Sequence, residues 1–150
     1  MEDLTFEFIP NVYTCSKDDK IEEIVSHMQE RKFGSVIIVE GKKPIGIFTE
    51  RDFLTKIGFQ QSEHTGKPIS EFMTPNPKTC HADSSLVDVL QIMNRGKFRH
   101  IVVTNKDGEL EGVASIKDLF ASLLSLMKKP DMDLDFMQKF LSMIPDEVTL

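Results

Sequence analysis

The chain repeats itself, and the repeat leaves few architectures open. Sliding the sequence by 65 residues brings Pro10-Asn11 onto Pro75-Asn76, Thr14-Cys15 onto Thr79-Cys80, and Lys32-Phe33 onto Lys97-Phe98. The same step brings Ile21 onto Leu86 and Met28 onto Met93. One extra residue in the second copy's turn moves the step to 66, and Gly46, Asp52 and Phe53 then meet Gly112, Asp118 and Leu119. The heptad Gly46-Ile47-Phe48-Thr49-Glu50-Arg51-Asp52 thus reappears as Gly112-Val113-Ala114-Ser115-Ile116-Lys117-Asp118. Both copies read glycine, two apolar residues, a hydroxyl residue, two mostly charged residues, then aspartate. A strand that ends on a small hydroxyl residue and turns into a helix is a physically sensible anion site, because a helix start offers free N–H groups and a positive dipole end. A hydroxyl residue at that place also caps a helix, with no ligand involved.

The elements follow the same order in both copies. An extended piece (Val12 to Cys15; Lys78 to Cys80) precedes a polar turn with helix-start character, Ser16 to Asp19 in one copy and Asp83 to Ser85 in the other. Apolar residues then recur three and four apart, at Ile21, Ile24, Val25 and Met28, and at Leu86, Val89, Leu90 and Met93. Each set makes one buried helical stripe. Two β-branched runs follow around a turn: Ser35 to Val39 and Pro44 to Phe48 about Gly41, and His100 to Thr104 and Leu110 to Ala114 about Asp107-Gly108. A helix closes each unit, Glu50 to Ile57 and Ile116 to about Met127. The polar stretch Gly58 to Pro68 reads as a linker, and Ile69 to Thr74 as a short helical turn whose N-terminal counterpart is Leu4 to Ile9. Pro130 ends the last helix. Beyond it, 133–143 carries an apolar face of Leu134, Met137, Phe140 and Leu141, which Ile144 continues. That face suits packing on its own domain or on another copy or partner. The expected organisation is a repeat over 4–60, a repeat over 68–127 and a helical tail over 128–150.

Charge narrows the partners. A net charge of −6 and a pI near 5.2 leave no basic stripe for nucleic-acid phosphates. The basic runs stop at the pairs Lys42-Lys43 and Lys128-Lys129, which argues against a membrane-surface role. No run of apolar residues is long enough to span a bilayer. Met1-Glu2-Asp3 lacks the apolar core of a signal peptide, so a cytoplasmic location is expected. In that setting Cys15 and Cys80 read as inert thiols, ahead of a disulfide or part of a metal site. Cys80-His81, Cys15, His27 and His64 match no zinc spacing. No nucleophile–base set, Walker loop or metalloprotease motif occurs, so no enzyme activity, catalytic residue or required cofactor is expected.

The unit order, the Gly-x-x-Ser/Thr-x-x-Asp ending, the Lys97-Phe98-Arg99-His100-Ile101-Val102-Val103 run and the opening Ile69-Ser70-Glu71-Phe72-Met73-Thr74 resemble the cystathionine-β-synthase (CBS) domain. Two in tandem resemble a CBS pair, or Bateman module, over about Leu4 to Met127. The resemblance implies an α/β (α+β) fold of two β-α-β-β-α repeats, packed through their sheets with a pseudo-two-fold axis. It implies two related clefts that take adenosine-containing ligands (AMP, ADP, ATP or related). It also implies pairing into a homodimer.

On that footing the site residues sort themselves. Asp52 and Asp118 lie three residues after Thr49 and Ser115, so hydroxyl and carboxylate share a helical turn. A carboxylate can accept from both hydroxyls of a ribose, and the Ser/Thr hydroxyl with nearby N–H groups suits a phosphate. Capping of the closing helices is the competing role. Arg99 and His100 stand where the first copy has Gly34 and Ser35. An arginine presents a planar fork to phosphate and a histidine one or two donors, whereas Gly34 and Ser35 leave room for a base. A cleft holding Gly34, Ser35, Ser115, Asp118, Arg99 and His100 is therefore favoured over the one holding Asp52. Arg51 and Lys117 are candidates for phosphate contact or for solvated surface charges. The resemblance places Thr14 and Thr79 beside the adenine. The expected function is a ligand-sensing regulatory module that acts on an effector protein. The alternative is a constitutive interaction or dimerisation module with vestigial clefts.

Overall fold

The computed structural model describes residues 5–128 together with Asp135, Gln138 and Ser142, and in it each repeat carries its own sheet and its own core. The first repeat runs β1 (Thr14–Cys15), α1 (Ile21–Arg31), β2 (Ser35–Glu40), β3 (Lys43–Thr49) and α2 (Glu50–Asp52), which passes into a π-helical turn over Phe53–Ile57. A short α3 (Gln61–His64), a 3₁₀ turn over Ile69–Glu71 and β4 (Thr74–Pro75) connect to the second repeat. That repeat runs β5 (Thr79–His81), α4 (Leu86–Gly96), β6 (His100–Thr104), β7 (Leu110–Ser115) and α5 (Ile116–Met127). The β-α-β-β-α order is the expected one, and the class is mixed α/β.

The apolar spacing works as its period requires. Ile21, Ile24 and Met28 on α1 are buried against Val36, Ile38 and Phe48 of the adjacent sheet. Leu86, Val89 and Met93 on α4 are buried with Ile101, Val103 and Ala114. Val25 and Leu90, at the margins of the two stripes, are partly buried. In the first sheet, ordered β1-β2-β3-β4, β1 pairs parallel with β2 and β2 antiparallel with β3. The second sheet is ordered β5-β6-β7. Its β6 and β7 are joined only by residues 105–109, a connection short enough to require an antiparallel hairpin. Gly41 and Gly108 turn the two hairpins with φ of 63° and 77°, values that cost glycine nothing.

The leading segment of each repeat crosses to the other. β4, at the start of the second repeat, pairs antiparallel with β3 of the first, placing Pro75 opposite Gly46 and Thr74 opposite Ile47. Reciprocally, Ile9 forms an antiparallel bridge with Val113, its N–H donating at 2.9 Å to the Val113 carbonyl and its carbonyl accepting at 3.0 Å. The heptad glycines permit this. A Cβ on Gly112 would strike the Ile9 carbonyl, and one on Gly46 the Met73 thioether. Phe6 follows the same path into the core around Leu86 and Leu119. The two compact units accordingly depart from the repeat boundary. Residues up to Pro10 join Thr79–Val103 and the stretch from Glu111 onward, while Asn11–Lys78 joins Thr104–Leu110.

Several local expectations need correction. The polar linker contains α3 and is strapped to the start of α1: the Ile21 N–H donates to the Lys67 carbonyl at 3.0 Å, and the Ile69 N–H to the Asp19 carbonyl at 2.8 Å. The first of these bonds satisfies an N–H of the helix start, where Lys20 supplies no side-chain cap. Ser85 does cap α4, accepting from the Asp88 N–H at 3.1 Å. The helix expected over Glu50 to Ile57 is α-helical for three residues only, then widens. The Gly58 N–H closes the wide turn on the Phe53 carbonyl at 2.8 Å. The N-terminal counterpart of the 3₁₀ turn is no helical turn, since residues 5–8 are irregular ahead of the Ile9 bridge. The tail helix expected over 133–143 lies outside the described residues, apart from Asp135, Gln138 and Ser142, which are helical. No helix among the described residues is long and apolar enough to cross a membrane.

Candidate functional site

Both heptads end in the same hydrogen-bonded knot. At the end of β3, the Thr49 N–H and hydroxyl donate to Asp52 Oδ2 at 2.9 and 3.1 Å, and the Asp52 N–H donates back to Thr49 Oγ1 at 3.3 Å. At the end of β7, the Ser115 N–H and hydroxyl donate to Asp118 Oδ2 at 2.8 and 2.9 Å, and the Asp118 N–H returns to Ser115 Oγ at 3.2 Å. Each is a capping box. The hydroxyl and one carboxylate oxygen are therefore committed to each other. The cap thus takes Oδ2 and leaves Oδ1 as the carboxylate oxygen for a ligand, with two lone pairs that can meet both hydroxyls of a ribose. Capping and ligand binding are compatible, because the cap fixes the carboxylate's orientation without occupying Oδ1.

The residues ahead of β2 and β6 lie beside these knots. The Glu50 N–H donates to the Gly34 carbonyl at 3.1 Å, and Ser35 faces Thr49 in the β2–β3 register. In the second repeat the Ile116 N–H donates to the Arg99 carbonyl at 2.9 Å, the equivalent bond. One unit thus gathers Gly34, Ser35, Thr49 and Asp52, with Thr14 paired to Ile37 one strand over. The other gathers Arg99, Ser115 and Asp118, with His100 opening β6 and Thr79 opening the neighbouring β5. Thr14, Thr79 and Arg99 are exposed, while Ser35, Thr49, His100, Ser115 and Asp118 are half-buried. Arg51 and Lys117 project from the first turns of α2 and α5 and are exposed.

Two features escaped the reading of the sequence. Tyr13 stacks on Phe33 at a centroid distance of 5.6 Å, and its hydroxyl lies 3.1 Å from His27 Nδ1. This builds an aromatic wall beside Gly34 that the second repeat lacks, having Lys78 and Ile92 at the matching positions. Partial burial, with Cys15 and Asp19 nearby, holds the Tyr13 hydroxyl above its ordinary pKa. The second feature is Lys56, whose Nζ lies 3.4 Å from Asp52 Oδ1 and donates to the Phe72 carbonyl at 2.6 Å. The spacing of four residues from Asp52 was the available signal.

Cys15 and Cys80 are buried thiols. Burial, with Asp19 adding to it at Cys15, pushes their pKa values up to about 12 and about 11, so both thiols stay protonated and poorly nucleophilic near neutral pH. Among the described residues, no cluster of three or more His, Cys, Asp or Glu side chains is placed to hold a metal ion.

Comparison with known proteins gives this geometry a family. The CBS domain family matches residues 3–58 and again 69–125. An uncharacterised 17.7 kDa protein of Acidianus ambivalens is 30% identical over 116 residues, covering 77% of this chain and 69% of the relative. The CBS domain-containing protein CBSCBSPB3 of Arabidopsis thaliana is 28% identical over 86% of this chain, and the chain spans only 24% of that protein's length. Among solved structures, the CBS domain protein PAE2072 of Pyrobaculum aerophilum, determined in complex with AMP, aligns with a TM-score of 0.67 at 26% identity, covering 85% of this chain and 98% of that one. With two matched copies and the fold to go with them, the chain belongs to the CBS domain family as a tandem pair.

Proposed function

We propose that the chain is a regulatory module that binds an adenosine-containing nucleotide through residues of both repeats. The observation that carries the reading is the Ser115–Asp118 knot. A capped helix start holds a carboxylate whose Oδ1 has no partner among the described residues, next to the backbone of Arg99. That oxygen suits a ribose hydroxyl, and the guanidinium of the exposed Arg99 suits a phosphate. The AMP complex of the Pyrobaculum relative supports the ligand class. In this reading Gly34 and Ser35 leave space for the base, and Thr14 and Thr79 line it. Arg51 and Lys117 supply further positive charge, and the Asp52 cleft is the weaker of two. Binding, rather than turnover, is the role, in a cytoplasmic protein that signals to an effector.

Signalling requires that the ligand bind two arrangements of the protein unequally. Pairing of two copies offers such a second arrangement. Ile116, Phe120, Leu124 and Met127 are 44–56% exposed and fall on one face of α5, which supports a homodimer. The same face also favours the second reading, a constitutive dimerisation module.

Calorimetric titration with AMP, ADP, ATP and S-adenosylmethionine separates the two readings. At least one is expected to bind, and Asp118→Ala is expected to weaken it more than Asp52→Ala. Silence from all four at millimolar concentration leaves the constitutive module standing.

A further inference from the structure

The two Oδ1 oxygens are not equivalent, and the difference rests on one side chain outside the heptad. In the first repeat Lys56 lies one helical turn beyond Asp52, with Nζ 3.4 Å from Oδ1 and a hydrogen bond of 2.6 Å to the Phe72 carbonyl. The lysine is 36% exposed and the aspartate 18%. The carbonyl holds the ammonium at the carboxylate from a second side. The matching position in the second repeat, at the step of 66, is Ser122. Its side chain is buried, donates to the Asp118 carbonyl at 3.1 Å and accepts from the Glu7 N–H at 2.9 Å, and it carries no charge. Since both Oδ2 oxygens are committed to the caps, Lys56 pairs with the one oxygen of Asp52 that the cap leaves for a ligand.

We infer that Lys56 is a specificity-determining latch. It neutralises Asp52 and keeps that carboxylate from a ribose diol, so the chain has two ligand sites of unequal affinity rather than two equal ones. The consequence for nucleotide rests on the function proposed above, whereas the latch itself does not. A ligand hydroxyl at Asp52 must displace an ion pair already made; at Asp118 it meets an open oxygen. For a partly exposed pair the difference is about two- to fivefold in affinity.

The experiment has two arms. In the first, carbodiimide-driven coupling of glycine ethyl ester to the carboxylates of the full chain is followed by mass spectrometry, with no nucleotide present. Lys56→Ser is expected to raise the labelling rate at Asp52 about two- to fivefold and to leave the rate at Asp118 unchanged. Lys56→Gln, which keeps a donor for the Phe72 carbonyl without the charge, is expected to do the same and guards against a folding defect. An unchanged rate at Asp52 in both variants overturns the latch. In the second arm AMP is titrated into Asp118→Ala protein with and without Lys56→Gln, and the residual site is expected to tighten by the same factor. Faster labelling without tighter binding overturns the role in specificity. Absence of AMP binding by the unmodified chain sinks the proposed function instead, and the labelling arm still decides the latch.

Discussion

Gly46 and Gly112 hold matching places in the repeat, yet they face different neighbours. A Cβ at Gly112 meets the backbone carbonyl of Ile9, which cannot move without breaking the Ile9–Val113 bridge. A Cβ at Gly46 meets the end of the Met73 side chain, which can rotate away. Gly112→Ala is therefore expected to destabilise the protein by about 1–3 kcal/mol, the usual range for overpacking. Gly46→Ala should cost clearly less, a contrast that thermal denaturation of the two variants will read. Equal losses would mean that Met73 is as immobile as the backbone. At this scale much was legible. The three-residue spacing of Thr49 to Asp52 and of Ser115 to Asp118 announced the capping role and made each pair a candidate for a ligand. It did not say that the cap takes one particular oxygen, because that depends on a rotamer set by the helix start. Nor did the repeat reveal that Lys56 reaches the Phe72 carbonyl, a contact between residues 16 apart in the chain.

Among the elements, the helices and the hairpin strands announced themselves and the crossing segments did not. A stripe at Ile21, Ile24 and Met28 has a period, and the continuous β-branched runs of β2 and β6 are short and bounded by turn residues. β4 is two residues long, and the N-terminal contact is a single bridge at Ile9. Segments that short carry no periodicity, and their partners are chosen by long-range contacts. The exchange has a measurable outcome. Removal of residues 1–10 takes Phe6 out of the core around Leu86 and Leu119 and strips Val113 of its bridge. By analogy with truncating a buried phenylalanine, the loss should be about 3–5 kcal/mol. Hydrogen exchange should locate it in β7 and α5, with β2 and β3 keeping more of their protection. Faster exchange confined to the first repeat would contradict the crossing.

For the whole molecule, the open question is what covers α5. Ile116, Phe120, Leu124 and Met127 recur at spacings of four, four and three, with Leu119 and Leu123 buried on the adjoining flank. The helix is thus apolar on more faces than its own core uses, as a helix at an interface would be. A homodimer seated on this face should give a dimeric mass by sedimentation equilibrium, and Phe120→Glu with Leu124→Glu should shift it to monomer without unfolding the chain. A monomeric parent would overturn the homodimer. The sequence by itself determined the tandem repeat, the order of elements within it and the hydroxyl–aspartate pair at each helix start. The element order and the hydroxyl–aspartate pairs follow from short-range periodicity and capping chemistry, and the repeat from their recurrence at a step of 65 to 66 residues. Only the tertiary structure decided that each leading segment completes the other repeat's sheet, and that one aspartate is latched while the other is open. The first depends on a glycine against a crossing backbone far away in the chain; in the second only the Lys56–Asp52 spacing is local, and the Phe72 carbonyl that holds the lysine is 16 residues away.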